Sequence, residues 1–269
     1  MDKDKIEDKD NYEESYVAFL DILGFKEKIK NEKFNDVFGI YKSIIKDNDE
    51  YQIPKMIIMS DSIVVAAPCE EEGSLENVIK KCNDIQIKLL ELPSPVLLRG
   101  AISKGEFYYD DNQSGNALLF GKGLVDAYIA QEIYSVNPRI IVSNEVINYY
   151  YENVKQSSKI EPKDLYLKID ENDEYNYINT YENFFLSNLT KEEKKIEDIN
   201  EKYNYYNYLF IKSDMYRKLE KLINDNLMSY NDISIRKKYL WLKKEIEKIR
   251  WIYLNFFDVY KDDYSIVDE

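Results

Sequence analysis

Residues 19–25 read FLDILGF. An apolar run closes on one carboxylate, Asp21, and a glycine follows at position 24. A charge at the end of a buried strand is costly unless it has a partner, and that partner is often a metal ion. The residues before it, Tyr16 to Asp21, have the continuous apolar character of a strand covered on both faces.

Composition narrows what could meet Asp21. The 269 residues contain no histidine, so Ser-His-Asp and Cys-His catalysis, histidine bases and histidine metal sites are excluded. Only Cys69 and Cys82 are present, too few for a four-thiolate zinc site and no sign of a disulfide framework. Carboxylates with a hard cation, Mg²⁺ or Mn²⁺, remain. The net charge is −14, from 51 acidic and 37 basic residues, without a strong Lys/Arg cluster, so DNA or RNA is not an expected partner. Hydrophobic residues make up 44% and charged residues 33%, which fits a folded domain. No apolar run approaches the roughly 20 residues of a membrane span. The first ten residues, MDKDKIEDKD, read as a charged tail without an apolar signal segment, and a reducing cytoplasm is the expected location.

Outward from FLDILGF, a helical pattern follows with Phe34, Val37, Phe38, Tyr41, Ile44 and Ile45 on one face. KMIIMSDSIVVAAP reads as a hairpin turning at Ser60-Asp61-Ser62. Ser74 is placed to cap a helix that carries Leu75, Val78, Ile79, Cys82, Ile85 and Leu89 on one side. SPVLLRGAISKGEFYY is a long strand with a bend expected at Gly100 or Gly105, and DDNQSGN is a polar turn. A short strand ALLF, a helix after GKG, a strand PRIIVS and a hairpin over residues 164–181 complete this part. The expected order is β-α-ββ-α-β-β-α-β plus a hairpin: an α+β sandwich with one sheet. The expected division is a tail (1–15), a catalytic domain (16–182) and a helical C-terminal extension (183–269). In the extension, Tyr239, Leu242, Ile246, Ile249, Tyr253 and Phe256 form a stripe of alternating steps of 3 and 4. Such a stripe serves either as a core face or as a dimer contact.

Asp61 lies 40 residues after Asp21, at the hairpin tip. If the first strand lies beside that hairpin, both carboxylates reach one sheet edge, where a cation would offset their repulsion. Taken singly, Asp21 also reads as a helix N-cap and Asp61 as a turn residue.

FLDILGF and SDSIVV together resemble the two metal-aspartate motifs of class III nucleotide cyclases. LRGAISKGEF resembles that family's fourth strand, and LLFGKGLVDAYIAQE…PRIIVS its next strand, helix and strand; the resemblance spans residues 16–143. Within the family, it is nearest to the pyrimidine cyclases of bacterial anti-phage defence. The resemblance implies a ferredoxin-like α+β fold, conversion of UTP or, less favoured, CTP to a 3′,5′-cyclic nucleotide, and two Mg²⁺ or Mn²⁺ ions per active site. It implies a homodimer and a downstream effector that responds to the product. Carried over residue by residue, it implies metal ligation by Asp21, the Ile22 position and Asp61, and a catalytic role for Asp21, Asp61 and Arg99; Arg99 reads equally as a strand residue paired to an acid. Ile22, Gly24, Phe25, Ile57, Lys104 and Lys122 would contact substrate; the turn at Gly24 and Phe25 would offer backbone N–H groups to phosphate. The sequence departs from the purine cyclases at three points. Ile57 stands where they carry a base-reading lysine, and Val125 and Ile129 stand at their Asn-x-x-x-Arg pair. Arg99, Lys104, Lys122 and Arg139 are the candidate cations for the phosphates. A sensor module that binds nucleotide without turnover is the alternative.

Overall fold

The computed structural model of the chain describes residues 12–31, 34–45, 54–110, 118–154, 166–189 and 194–257. The tail up to residue 11 and the polar turn over residues 111–116 lie outside them. The chain divides into two compact units, residues 1–92 with 96–179, and residues 93–95 with 180–269.

The first unit runs β1 (Tyr12–Ile22), α1 (Phe25–Asn31), α2 (Phe34–Ile45), β2 (Lys55–Met59), β3 (Ser62–Pro68), α3 (Ser74–Glu91), β4 (Leu98–Asp110), β5 (Leu118–Phe120), α4 (Lys122–Tyr134), β6 (Ile140–Val142), α5 (Asn144–Tyr149), β7 (Leu167–Ile169) and β8 (Asn176–Ile178). The sheet order is β2-β3-β1-β4-β6-β8-β7, with β5 paired to β4. The order 2-3-1-4 of the first four strands, reached through β-α-β-β-α-β, is the ferredoxin-like arrangement. β1 is central, antiparallel to both β3 and β4, and begins at Tyr12, four residues before the apolar run.

Both faces of β1 are covered. Tyr16, Ala18, Leu20 and Ile22 join the larger core with α2 and α3, while Val17 joins a smaller one with Val64, Ala66 and Phe107 on the α4 side. The helix expected after FLDILGF is two helices. In α2, Val37, Ile40 and Ile44 point inward, whereas Phe38 and Ile45 are exposed, so the inward stripe is offset from the expected one. α3 buries the expected face, but Gly73 occupies its N-cap in a left-handed conformation. Ser74 is instead a buried first-turn residue.

β4 runs unbroken for 13 residues through both Gly100 and Gly105. Gly105 answers a close approach. A Cβ on it would lie 2.8 Å from the backbone nitrogen of Gly123, and one on Gly123 would lie 2.9 Å from the Gly105 carbonyl oxygen. α4 therefore lies backbone-to-backbone on β4, which no side chain would permit.

The second unit holds α6 (Thr180–Asn188), α7 (Ile199–Lys212), α8 (Asp214–Ser229) and α9 (Ile233–Phe256). Leu242, Ile246, Ile249 and Tyr253 of the stripe are buried, Tyr239 is half-buried and Phe256 is exposed. α9 packs along α6, α7 and α8. The ring of Tyr206 stacks on Phe257 at 3.8 Å, and Tyr253 meets Tyr206 edge-on. The stripe is thus the core of the helical unit, not a free dimer contact: its apolar area is already covered by its own neighbours.

Candidate active site

β1 delivers Asp21 opposite Ser62 of β3 on one side and Arg99 of β4 on the other. Alternation along the strand puts Asp21 on the α4 face, with Val17 and Phe19. One residue on, the Ile22 N–H donates to the Asp61 carbonyl at 2.9 Å, so the end of β1 and the hairpin tip are bonded together. The tip is two residues long, Ser60 and Asp61, between the paired Met59 and Ser62. Ser60 has φ 56°, a left-handed backbone that a non-glycine residue holds only when its surroundings impose it. Here the Tyr41 hydroxyl of α2 donates to the Ser60 carbonyl at 2.8 Å. Burial, and then the nearby Asp61 carboxylate, push the Tyr41 phenol above its ordinary pKa. It therefore stays protonated and keeps donating at neutral pH.

Arg99 is the cation at this edge. Its Nε donates to Asp21 Oδ2 at 2.9 Å and its Nη2 to Glu132 Oε1 at 3.0 Å. With the Gln131 amide turned to face it, that side-chain oxygen accepts from Nε at 2.7 Å and Nη2 at 3.0 Å. Gln131 is fully buried, the Arg99 and Asp21 side chains are about one-fifth exposed, and Glu132 is half-exposed. Gln131 and Glu132 sit near the end of α4, whose inward ridge is Gly123, Ala127, Gln131. Sequence reasoning missed both. The signal was that four-residue ridge, small-small-polar, which marks a helix lying close on a strand with one polar group aimed at it.

The other expected residues are dispersed. Ile22 is buried, so only its backbone can face a ligand. Gly24 has φ 74°, which makes the turn into α1, and the Phe25 ring packs edge-on against Tyr41 at 6.1 Å. Ile57 lies on the Asp21 face, through Val64 and Phe19, among half-buried apolar side chains. Two residues along that face, Lys55 holds its ammonium 5.0 Å over the Tyr109 ring. Lys104 is not brought to Asp21. It is five residues along β4 from Arg99, hence on the opposite face and about 17 Å away along the strand. It pairs there with Glu14 and lies 4.2 Å over the Tyr149 ring. Lys122 sits beside Gly105, exposed and paired with Asp126 at 2.7 Å. Arg139 is not a phosphate ligand in waiting: its side chain is fully buried against Asp170 and also pairs with Asp173. Of the four candidate cations, Arg99 alone is paired with Asp21 in the described contacts. Val125 and Ile129 are half-exposed on the outer face of α4, with Ile133, while the half-exposed Tyr128 meets Phe19 of β1 edge-on at 5.3 Å.

A divalent metal fits the donors present. The Asp21 and Asp61 carboxylates would offer hard oxygens, with the Ile22 backbone carbonyl next along β1; Mg²⁺ is commonly held by one or two carboxylates plus water and phosphate oxygens. No group of three or more His, Cys, Asp or Glu suited to a metal occurs among the described residues. No described helix is long and apolar enough to cross a membrane.

No family model matches the chain, and no curated protein matches it. Among solved structures it is similar to a dimeric guanylyl cyclase domain of the RhoGC fusion protein of the aquatic fungus Blastocladiella emersonii. That match has 16% identity, 62% of this chain and 94% of the other covered, and a TM-score of 0.46. It is also similar to the guanylate cyclase domain of RhGC from Catenaria anguillulae in complex with GTP, with 14% identity, coverages of 62% and 95%, and a TM-score of 0.43. The adenylyl cyclase CyaB of P. aeruginosa matches at 12% identity, coverages of 53% and 82%, and a TM-score of 0.39.

Proposed function

We propose that the chain is a nucleotide cyclase. The observation that carries this is the 2.9 Å bond from the Ile22 N–H to the Asp61 carbonyl, which ties the end of β1, where Asp21 is paired with Arg99, to the hairpin tip that carries Asp61. Asp21, Asp61 and the Ile22 carbonyl would hold Mg²⁺ or Mn²⁺, two ions when substrate phosphates complete the shell. The metal would supply a lowered pKa for the ribose 3′-hydroxyl and charge neutralisation for the triphosphate. The hydroxyl attacks its own α-phosphorus; the bond to the bridging oxygen breaks and pyrophosphate leaves. The protein's part is positioning and electrostatics, for which a histidine-free site suffices. The Gly24-Phe25 turn lies against the phosphates by its backbone, and Arg99 faces the charge that develops there.

We assign the base to a pyrimidine, UTP ahead of CTP. Ile57 offers no hydrogen bond to a purine edge, and the donor nearest it on that face, Lys55, is drawn over Tyr109. We further assign a head-to-tail homodimer through the outer face of α4, where Val125, Ile129 and Ile133 leave an apolar surface. In that pair Lys122 serves the partner's triphosphate. The product would signal to an effector in anti-phage defence. The second reading, nucleotide binding without turnover, is favoured by Val125 and Ile129, which carry no polar group toward a substrate.

The test is mass spectrometry of the products from a mixture of all four NTPs with Mn²⁺, then initial rates with each NTP alone. Cyclic UMP or cyclic CMP as the main product supports the assignment. Cyclic AMP or cyclic GMP keeps the cyclase and removes the pyrimidine. Tight nucleotide binding with no product favours the sensor.

A further inference from the structure

We infer that Arg99 is a resident counter-ion on Asp21 which an incoming divalent cation must displace, and that Gln131 and Glu132 of α4 receive it. This rests on the metal site proposed above, but concerns what the chain does before metal arrives. The Arg99 fork spans two carboxylates: Nε is bonded to Asp21 and Nη2 to Glu132, with the Gln131 oxygen within reach of both nitrogens. A guanidinium that gives up Asp21 therefore keeps a carboxylate and an amide oxygen. Its charge is never left uncompensated. The Asp21 oxygen held by Nε is one a metal would take, so metal and arginine compete for it. Glu132 shifts that competition: by drawing the guanidinium toward α4, it makes Asp21 easier to vacate. Gln131, buried beneath, fixes the direction of the move. Gln131 and Glu132 are positioning residues, acting on the metal site only through Arg99.

The experiment is a titration of the full chain with Mn²⁺ alone, reading free Mn²⁺ by electron paramagnetic resonance, with no nucleotide present. Removing the competitor in Arg99→Met should tighten Mn²⁺ binding about tenfold or more, the worth of one hydrogen bond between charged groups. Glu132→Gln should weaken binding several-fold. The decisive measurement is the double variant. If Glu132 acts through Arg99, Glu132→Gln has no effect in the Arg99→Met background. If the effects simply add, Glu132 acts through its field on the metal and the inference falls. It also falls if Arg99→Met and Arg99→Gln both bind Mn²⁺ no tighter than the parent. Melting curves without metal report whether each variant is folded, and Arg99→Gln stands in if the methionine variant is not. Asp61→Asn separates the two failures. Mn²⁺ binding in the parent that Asp61→Asn abolishes supports the metal site, whatever Arg99 does. Absence of binding, or binding indifferent to Asp61→Asn, overturns the metal site and the inference with it.

Discussion

Arg99 and Arg139 are built from the same parts: one guanidinium and two carboxylates each. They differ in access to water. The Arg139 side chain is fully buried, and so, nearly, is that of Asp170, on the loop between β7 and β8. Its backbone is tied in as well: the carbonyl accepts from Gly100 N–H and from the Ser135 hydroxyl. Arg99 is partly open, and its second partner, Glu132, is half-exposed. The buried pair of Arg139 and Asp170 fixes a hairpin onto the sheet. An open one can trade partners, which a site needs. Charge composition alone does not separate the two; burial does.

The comparison breaks most visibly in activity. Asp21→Ala and Asp61→Ala should each lower turnover by about 10³-fold or more, and the double variant should be no worse than either, because each loss removes the same centre. Circular dichroism should show both folded. A variant near parental activity would move the site elsewhere.

The next largest effect belongs to the other arginine. Arg139→Met leaves Asp170 buried without its cation and should cost about 3–5 kcal/mol in urea unfolding, whereas Arg99→Met should cost about 1 kcal/mol or less. Combining Arg139→Met with Asp170→Leu should recover much of the loss. Equal losses at the two arginines would erase the distinction drawn from burial.

A third effect reads the surroundings of Arg99. α4 holds Gln131 inward and an apolar face outward, so Val125→Glu with Ile129→Glu should convert a dimer to a monomer in sedimentation while leaving metal-free melting nearly unchanged. An unaltered oligomeric state would detach α4 from any pairing role.

The smallest effect is with pH. Burial pushes Tyr216, Tyr239 and Tyr253 of the helical unit up to about 12, against an ordinary phenol near 10. A folded pKa raised above the unfolded one gives stability that is complete below pH 10 and lost as pH rises through 12. Helicity of this unit should therefore fall between pH 10 and 12. Loss of helix below pH 9 would contradict this.

The central sheet was legible because β1, β3 and β4 are apolar on both faces and their turns are marked by Ser60-Asp61 and by glycines. The pairing of Asp21 with Arg99 was readable only as an open alternative, since register depends on which strands neighbour each other. Asp61 was readable from its hairpin. Lys104 was misleading: its strand was recognised, but a five-residue offset reverses the face, and only the register with Tyr16 reveals it. The α9 stripe carried the right period, yet periodicity cannot say which partner covers it. Gln131 carried a faint signal in the ridge it shares with Gly123 and Ala127, but Glu132 carried none, because both belong to the site only once α4 lies on β4.

That contact has a consequence for inheritance. Where Gly105 and Gly123 touch, and where a Cβ on Gly121 would meet the Glu106 carbonyl oxygen at 2.2 Å, there is no side chain to trim or enlarge in compensation. A library randomised at positions 105, 121 and 123 should return glycine almost alone, even under selection for folding without activity. Strand and helix then drift as one body, and the spacing between Arg99 and its two α4 partners passes to descendants unaltered while the surface around it is free to change.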